Sequence, residues 1–509
     1  MSSNTNTKKS AIIIGGGLGG LFCGALLAKE GLAVTVLEKN ANIGGGIQSF
    51  KRFNESFDTG MHVIGGLRKG QTLYKICDYL GILNNLKIKE VDDDCMDEVT
   101  YLSDNHNYKI PSGKENFISY FQNLFPEENE NVRNYVEKLF QLVDEIGFFY
   151  LRAEDDDYRH DPMFYMPADK MIRHYIKDKR LQELLAYMNP LCSGVAGHTP
   201  AYIFAIINVL YISGQSRFEG PSEQLAAALK SLIEDNGGSV HANSAVTKIE
   251  ISDKLVKKVV TVSGQEFTAD YYISSLHPAT LLDLTSDRIF SKASMLRLQS
   301  TNNSYSAFCI FIKFKEGIFR YINHPCYCVQ DYDKAWEYGD YDGEWPRGFL
   351  YLTPCATGQG EYASTMQIVA MMPFSACDRW SDTVIGRRGE DYRLWKEEHT
   401  NRIMAKMRLI FPDIDECIER IISSSPLTIR DYYNVPEGAM YGIVKDCSNI
   451  YAGYVPIHTK ADNLLQTGQN IYLHGCCGVP LTAINTAEVI VGKNTIVDKI
   501  NKHAANQKQ

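Results

Sequence analysis

The sequence predicts an α/β protein with a discontinuous Rossmann-like domain, a second domain built on an antiparallel sheet, and a helical lid subdomain. Three observations predict it. A strand, glycine turn, helix and strand open the chain at residues 11–40, and a strand, glycine loop and helix recur at 464–493. Between them lie a helical stretch at 115–213 and a stretch at 305–372 rich in β-branched and aromatic residues, which suits a sheet. At 509 residues the chain has room for two or three domains of roughly 150 residues each.

Taken in order, residues 11–14 form an apolar strand that runs into GGGLGG. Gly15 permits the tight turn, Gly17 lets backbone approach a pyrophosphate, and Gly20 lets the helix pack closely on the strand. Glu38 ends the second strand, placed to accept from ribose hydroxyls. Strand, helix and acid at these offsets make a dinucleotide-binding unit, a stronger signal than the glycines alone. Residues 43–67 read as backbone lying against a ligand, too irregular for a helix and too glycine-rich for a strand.

A hairpin follows at 97–102 and 107–110, and then the helical stretch. Residues 223–235 read as a helix ended by Gly237-Gly238, followed by strands at 239–241, 245–251, 259–262 and 269–275. Strands at 305–315, 349–352 and 365–372 form the second sheet, and 391–411 an amphipathic helix. The expected domains are 8–70, 215–285 and 455–500 for the discontinuous one, 71–111 and 286–454 for the second, and 112–214 for the lid.

Composition narrows the function. With 44% apolar residues, 22% charged residues and a net charge of −9, the chain has no basic field for phosphate backbones, so no nucleic acid partner is expected. The polar first ten residues carry no secretory segment, and a cytoplasmic location follows as an expectation. Thirteen cysteines, an odd number, fit reduced thiols. His324-x-Cys326-x-Cys328 is spaced too tightly for the usual zinc patterns, so no metal is expected. No apolar run reaches the roughly 18–20 residues of a membrane span, and 201–212 reads as a buried helix. Phe148, Phe149, Tyr150 and Leu151, with Phe164, Tyr165 and Met166 beyond an acidic run at 154–157, read as a membrane-facing surface, a pocket cover or plain core.

Further motifs are Gly44-Gly45, Asp58-Thr59-Gly60-Met61-His62, GPSEQLAAALKSLIEDNGG with Val246 downstream, ADYYISSLHP, PEGAMYG and LLQTGQNIYLHGCCGVP. Through them the chain resembles, over nearly its full length, the flavoprotein group of bacterial-type phytoene desaturases, carotenoid isomerases and retinol saturases. The resemblance implies FAD, with its pyrophosphate at Gly15, Gly17 and Gly20, its ribose at Glu38 beside Lys39, and its adenine at Val246. It implies that Gly44, Gly45, Gly60, Met61 and His62 line the path to the flavin ring. Gly468 and a loop containing Gly475, Gly478 and Val479 then close over the ring, and a helix starting near Leu481 aims its positive end at it. Gly46 stands where relatives often carry a larger basic residue.

His474 and His62 close the two glycine loops, either as proton donors or acceptors or as backbone-bonding residues that shape them. Tyr441 and Glu437 border the expected substrate tunnel, and Cys476-Cys477 is either a redox pair or loop packing. The expected activity is FAD-dependent desaturation, saturation or cis–trans isomerisation of an apolar polyene or isoprenoid lipid such as a carotenoid or retinoid. The electron partner is left open, and contact with the membrane is peripheral, at its cytoplasmic face. An amine-oxidase-like or steroid-type flavin oxidase and a non-catalytic flavin-bound lipid carrier are the alternatives.

Overall fold

The strand Ser10–Ile14 is the middle of a five-stranded parallel sheet, flanked by Ala33–Leu37 and Tyr271–Ser274, with Ser239–His241 and Leu464–Gln466 at the edges. The computed structural model describes residues 8–60, 63–152, 159–285, 289–450 and 453–507. Three distant stretches of chain thus build one sheet. Ala11 and Ile13 point into the core shared with the helix Leu18–Lys29, while Ile12 and Ile14 meet Ile249, Val256 and Val259 on the other face. Burial on both faces is what a parallel sheet demands, and it explains the unbroken apolar run. Leu18–Lys29 packs between Glu223–Asp235 and Gly475–Val491, tying the N-terminal unit to the end of the chain.

The second sheet has seven strands, in the order Ile418–Ser424, Ser306–Phe314, Thr365–Met372, Gly348–Leu352, Cys326–Val329, Asp97–Tyr101 and His106–Ile110. It is antiparallel at every step but one: Cys326–Val329 runs parallel to Asp97–Tyr101. One face, with Cys309, Leu350, Val369 and Met371, belongs to the large core; the other, with Phe308, Ile310, Ile368 and Ala370, belongs to the core that includes Trp395 and Ile403 of the helix Glu390–Ile410.

Segment 43–67 departs from expectation. It holds a hairpin, Ser49–Arg52 with Glu55–Asp58, and a strand, Val63–Gly65, that pairs with Gln215–Phe218. Of the glycines that suggested irregular backbone, Gly44 to Gly46, Gly60 and Gly66 lie outside these strands and Gly65 ends the last of them. Gln215–Phe218 also pairs with Ile88–Glu90, and the helix Thr72–Leu80 packs on Gly475–Val491 and Thr495–Asn506. A boundary at residue 71 therefore separates a helix from the layer against which it is buried.

The lid includes helices Lys114–Leu124, Asn129–Asp144, Ala168–Tyr175, Lys179–Leu185 and Ala201–Ile212. In its aromatic stretch Phe148, Phe149 and Phe164 are buried, and Phe164 stacks on Tyr202 at 4.5 Å, so these three rings offer no surface to a membrane. Removing these rings from water, Phe149 against the cavity described below and Phe148 beside Tyr472, is worth about 1.5–3 kcal/mol each, which decides against exposing them. Tyr165 is exposed, and the acidic run 154–157 lies outside the described residues. Among the described residues no single helix is long and apolar enough to cross a membrane.

Candidate active site

The glycine turn divides its labour as the sequence suggests. Gly15 has φ +100°, a conformation that strongly favours glycine. A Cβ on Gly20 would overlap the Gly15 carbonyl oxygen, so that glycine lets the helix close on the strand. A Cβ on Gly17 would meet nothing within 4 Å, because this residue faces open space at the helix N-terminus. Glu38 is buried beside it, and its carboxylate accepts from the Gly16 N–H at 2.7 Å and the Asn40 N–H at 2.8 Å. A carboxylate has about four lone-pair sites, so two backbone bonds fix its direction and leave capacity for ribose hydroxyls. The Ser244 N–H donates to the Glu38 carbonyl, which brings Val246 to the same end of the cavity. Lys39 donates to the Asp431 carbonyl at 2.7 Å and lines that end too.

The C-terminal half of the site comes from Leu464–Gln466 and the turn after it. Gly468 has φ +98°, and a Cβ on Gly19 would lie 2.8 Å from its Cα. Gly19 thus joins the two ends of the chain, a role sequence reasoning missed because its partner is distant in sequence. The following helix starts at Gly475, not near Leu481. Gly475, Gly478 and Pro480 read as loop residues, yet Cys477 and Val479 to Thr482 are buried and Gly478 abuts Leu473, so packing carries the helix through Pro480. Residues 475–479 are therefore its first turns, lining the same cavity as Gly17 to Gly19. Two helix N-termini, each carrying roughly half a positive charge, open onto one space.

That space is a cavity of about 450 Å³ running from the glycine cradle to an apolar chamber. Ile203, Ile206, Ile207 and Leu210 of the helix Ala201–Ile212 form one wall. Cys309, Leu350, Val369 and Met371 of the large sheet form another. Sequence reasoning saw in 201–212 only a core helix; its apolar composition gives no sign of which side chains border a ligand.

His474 lines the cavity from the N-cap position of the helix Gly475–Val491. Its Nε2 lies 3.1 Å from the Leu191 carbonyl, which can only accept, so Nε2 carries the proton. Burial lowers its pKa to about 4, leaving a neutral imidazole whose ring lies 4.9 Å from that of Tyr441. Tyr441 lines the chamber. The thiols of Cys476 and Cys477 are unpaired and pushed up by burial to about 11 and about 12, which argues against redox work, and Cys477 packs against Gly66.

Other expected residues fall elsewhere. Glu437 is exposed and accepts from the Asn303 side chain, away from the chamber wall. Gly44 and Gly20 support the turn from behind without lining the cavity: the Gly44 N–H donates to the Gly16 carbonyl, and a Cβ on it would press on Ala226. Gly45, Gly60 and Gly468 do line it. Met61 and His62 lie outside the described residues.

An open glycine cradle, an inward carboxylate and an apolar chamber at the far end define a flavoprotein oxidoreductase site. The chain belongs to the flavin containing amine oxidoreductase family, whose profile matches residues 18–424. Its relatives include the rat all-trans-retinol 13,14-reductase, 25% identical over 97% of this chain and 88% of that protein. A prolycopene isomerase 2 of an Oncidium hybrid is 28% identical over 52% of this chain and 48% of its own. Among solved structures, a putrescine oxidase superposes with a TM-score of 0.65 at 13% identity, over 96% of this chain and 99% of that one. The cofactor is FAD, and the open space at Gly17 with Glu38 beyond it fits its pyrophosphate and ribose.

Glu38→Ala removes the acceptor expected for the ribose and its bonds from the Gly16 and Asn40 amides. At about 1.5–3 kcal/mol per charge-assisted bond, FAD should bind ten- to a hundred-fold more weakly. Flavin fluorescence titration measures this, and an unchanged Kd would remove Glu38 from the cofactor site.

Proposed function

We propose that this protein is an FAD-dependent oxidoreductase acting on carbon–carbon bonds of an apolar polyene or isoprenoid lipid such as a carotenoid or retinoid. The observation that carries the reading is the chamber continuous with the cradle, walled by isoleucine, leucine, valine and methionine. The rat and Oncidium relatives, named for a retinoid and a carotenoid, support the substrate class. Bound FAD supplies the hydride chemistry. The chain orients the lipid between the helix Ala201–Ile212 and the sheet, and excludes water from it. Both helix N-termini favour negative charge on the cofactor side.

An amine substrate fits less well. A buried ammonium is held best by an anionic partner, and among the described lining residues the one carboxylate is Glu38, at the adenosine end, which leaves aromatic faces to receive it. In this reading the protein works in a reducing, cytoplasmic setting, supported by its unpaired cysteines. The lipid reaches it from the cytoplasmic face of a membrane through transient contact, since Phe148, Phe149 and Phe164 are buried in the protein.

Anaerobic stopped-flow absorbance tests the reading: a candidate polyene should reduce the oxidised flavin, oxidise the prereduced flavin, or be isomerised by it. A lipid that binds without any of the three would make the protein a carrier. His474, neutral above about pH 4, acts as a positioning residue that holds the Leu191 carbonyl beside the cavity. His474→Ala should lower kcat less than tenfold, and His474→Gln, which can still donate, should recover part of it. A loss of about 10²–10⁴-fold in both would instead mark an acid–base catalyst.

A further inference from the structure

The seven-stranded sheet contains one parallel junction, between Asp97–Tyr101 and Cys326–Val329, and polar side chains gather at the end where the two strands begin. Cys95 comes from the segment just before the first strand, Glu98 from the strand itself, and His324 from the segment just before the second. One ligand atom from each, a sulfur, a carboxylate oxygen and an imidazole nitrogen, lies within 4.8 Å of the other two. His324 Nε2 and the Glu98 carboxylate are already 3.3 Å apart.

We propose that Cys95, Glu98 and His324 form a binding site for a divalent cation of zinc's class. Thiolate, imidazole and carboxylate are the donors such an ion takes, and tetrahedral coordination places them about 3.3–3.8 Å apart. Closing from 4.8 Å takes side-chain rotation, which Cys95 can supply because it lies outside regular structure.

The framework is braced. The Glu98 N–H donates to the Pro325 carbonyl at 3.1 Å, and Asn323 donates to Asp92 at 2.8 Å, so the two segments are locked together on either side of the cluster. Asn107 donates to the second Glu98 oxygen at 2.7 Å, the kind of outer contact that orients a ligating carboxylate. Cys326 stands in register with Glu98 and shares its face of the sheet, which offers a second sulfur close by. The spacing of His324 and Cys326 alone argues against a site; the tertiary structure adds Cys95 and Glu98, more than two hundred residues earlier in the chain.

The site is distinct from the FAD cavity. Cys326 packs in the core on the sheet's outer face, whereas Tyr327 and Leu350 belong to the core that borders the chamber. Glu98 and His324 are 16% and 14% exposed, enough for an ion to enter from solvent. A metal here would staple the hairpin Asp97–Ile110 to the rest of the sheet and add stability without touching the flavin.

The test uses the FAD-loaded protein, stripped with a chelator, dialysed against zinc and assayed by elemental mass spectrometry. The expected result is about one retained zinc per chain, a higher Tm, and loss of both in Cys95→Ser/His324→Ala with flavin content unchanged. Cobalt should give the intense visible bands of a tetrahedral site and a thiolate charge-transfer band, with the latter lost in Cys95→Ser alone. If the double variant does not fold, the single Cys95→Ser and His324→Gln variants decide the matter by the cobalt spectrum. No retained zinc in the unmodified protein, or a cobalt spectrum unchanged in these variants, overturns the proposal.

Discussion

Gly17→Val is expected to give a folded protein that purifies without colour. Gly17 has φ −72° and ψ 176°, ordinary values for any residue, and an added Cβ meets no atom within 4 Å, so the fold has no objection to a side chain there. The valine instead fills the space into which the pyrophosphate must come, at the point where the amides of the helix Leu18–Lys29 face it. FAD affinity should fall at least a hundred-fold, read from the flavin-to-protein absorbance ratio and confirmed by titration. Gly20→Ala is the contrasting case. Its methyl would overlap the Gly15 carbonyl oxygen and press on Ile13, so helix and strand must separate. The expected cost is about 1–3 kcal/mol of stability, seen as a lower Tm, with flavin lost only as the fold loosens. A yellow Gly17→Val protein with undiminished affinity would end the assignment of this turn to the cofactor.

Val369→Phe is expected to abolish turnover of a long polyene while leaving FAD bound. Val369 is buried on the interior strand Thr365–Met372 and lies across from Cys309 and Leu350, all three bordering the chamber. A phenyl ring there suits a strand and has only the chamber to enter. It subtracts from a cavity of about 450 Å³ that must also hold the cofactor's ring. The kcat/KM for a polyene should drop at least tenfold, with a smaller effect on short substrates, and Val369→Ala should move the preference toward bulkier ones. An unchanged kcat/KM for every substrate length would place the reaction elsewhere.

Much of this site was legible in the chain, and the misses share a cause. Glu223–Asp235 was readable end to end because an amphipathic pattern meets Gly237-Gly238, and Thr365–Met372 because an apolar run with β-branched residues ends at Pro373. Gly15, Gly17, Gly20 and Glu38 were legible because their spacing is fixed within one local unit. The helix Gly475–Val491 was read as starting six residues late, since glycine and proline argue for a loop until its burial against Leu18–Lys29 is known. Phe148 and Phe149 looked available to a membrane for the same reason: hydrophobicity says that a ring avoids water, without saying what covers it. Glu437 was placed by its neighbours in sequence, but the backbone there turns its carboxylate toward Asn303.

The sequence by itself determined the βαβ unit and its glycine turn, because these depend on residues within about thirty positions of one another, and the class of chemistry came from the resemblance carried by motifs along nearly the whole chain. Only the tertiary structure decided that Gly19 meets Gly468, that the helix Ala201–Ile212 walls a chamber, and that Cys95 and Glu98 meet His324. Local pattern records which side chains avoid water and which turns are permitted. The partners they meet are set by packing between segments hundreds of residues apart, which no local pattern records.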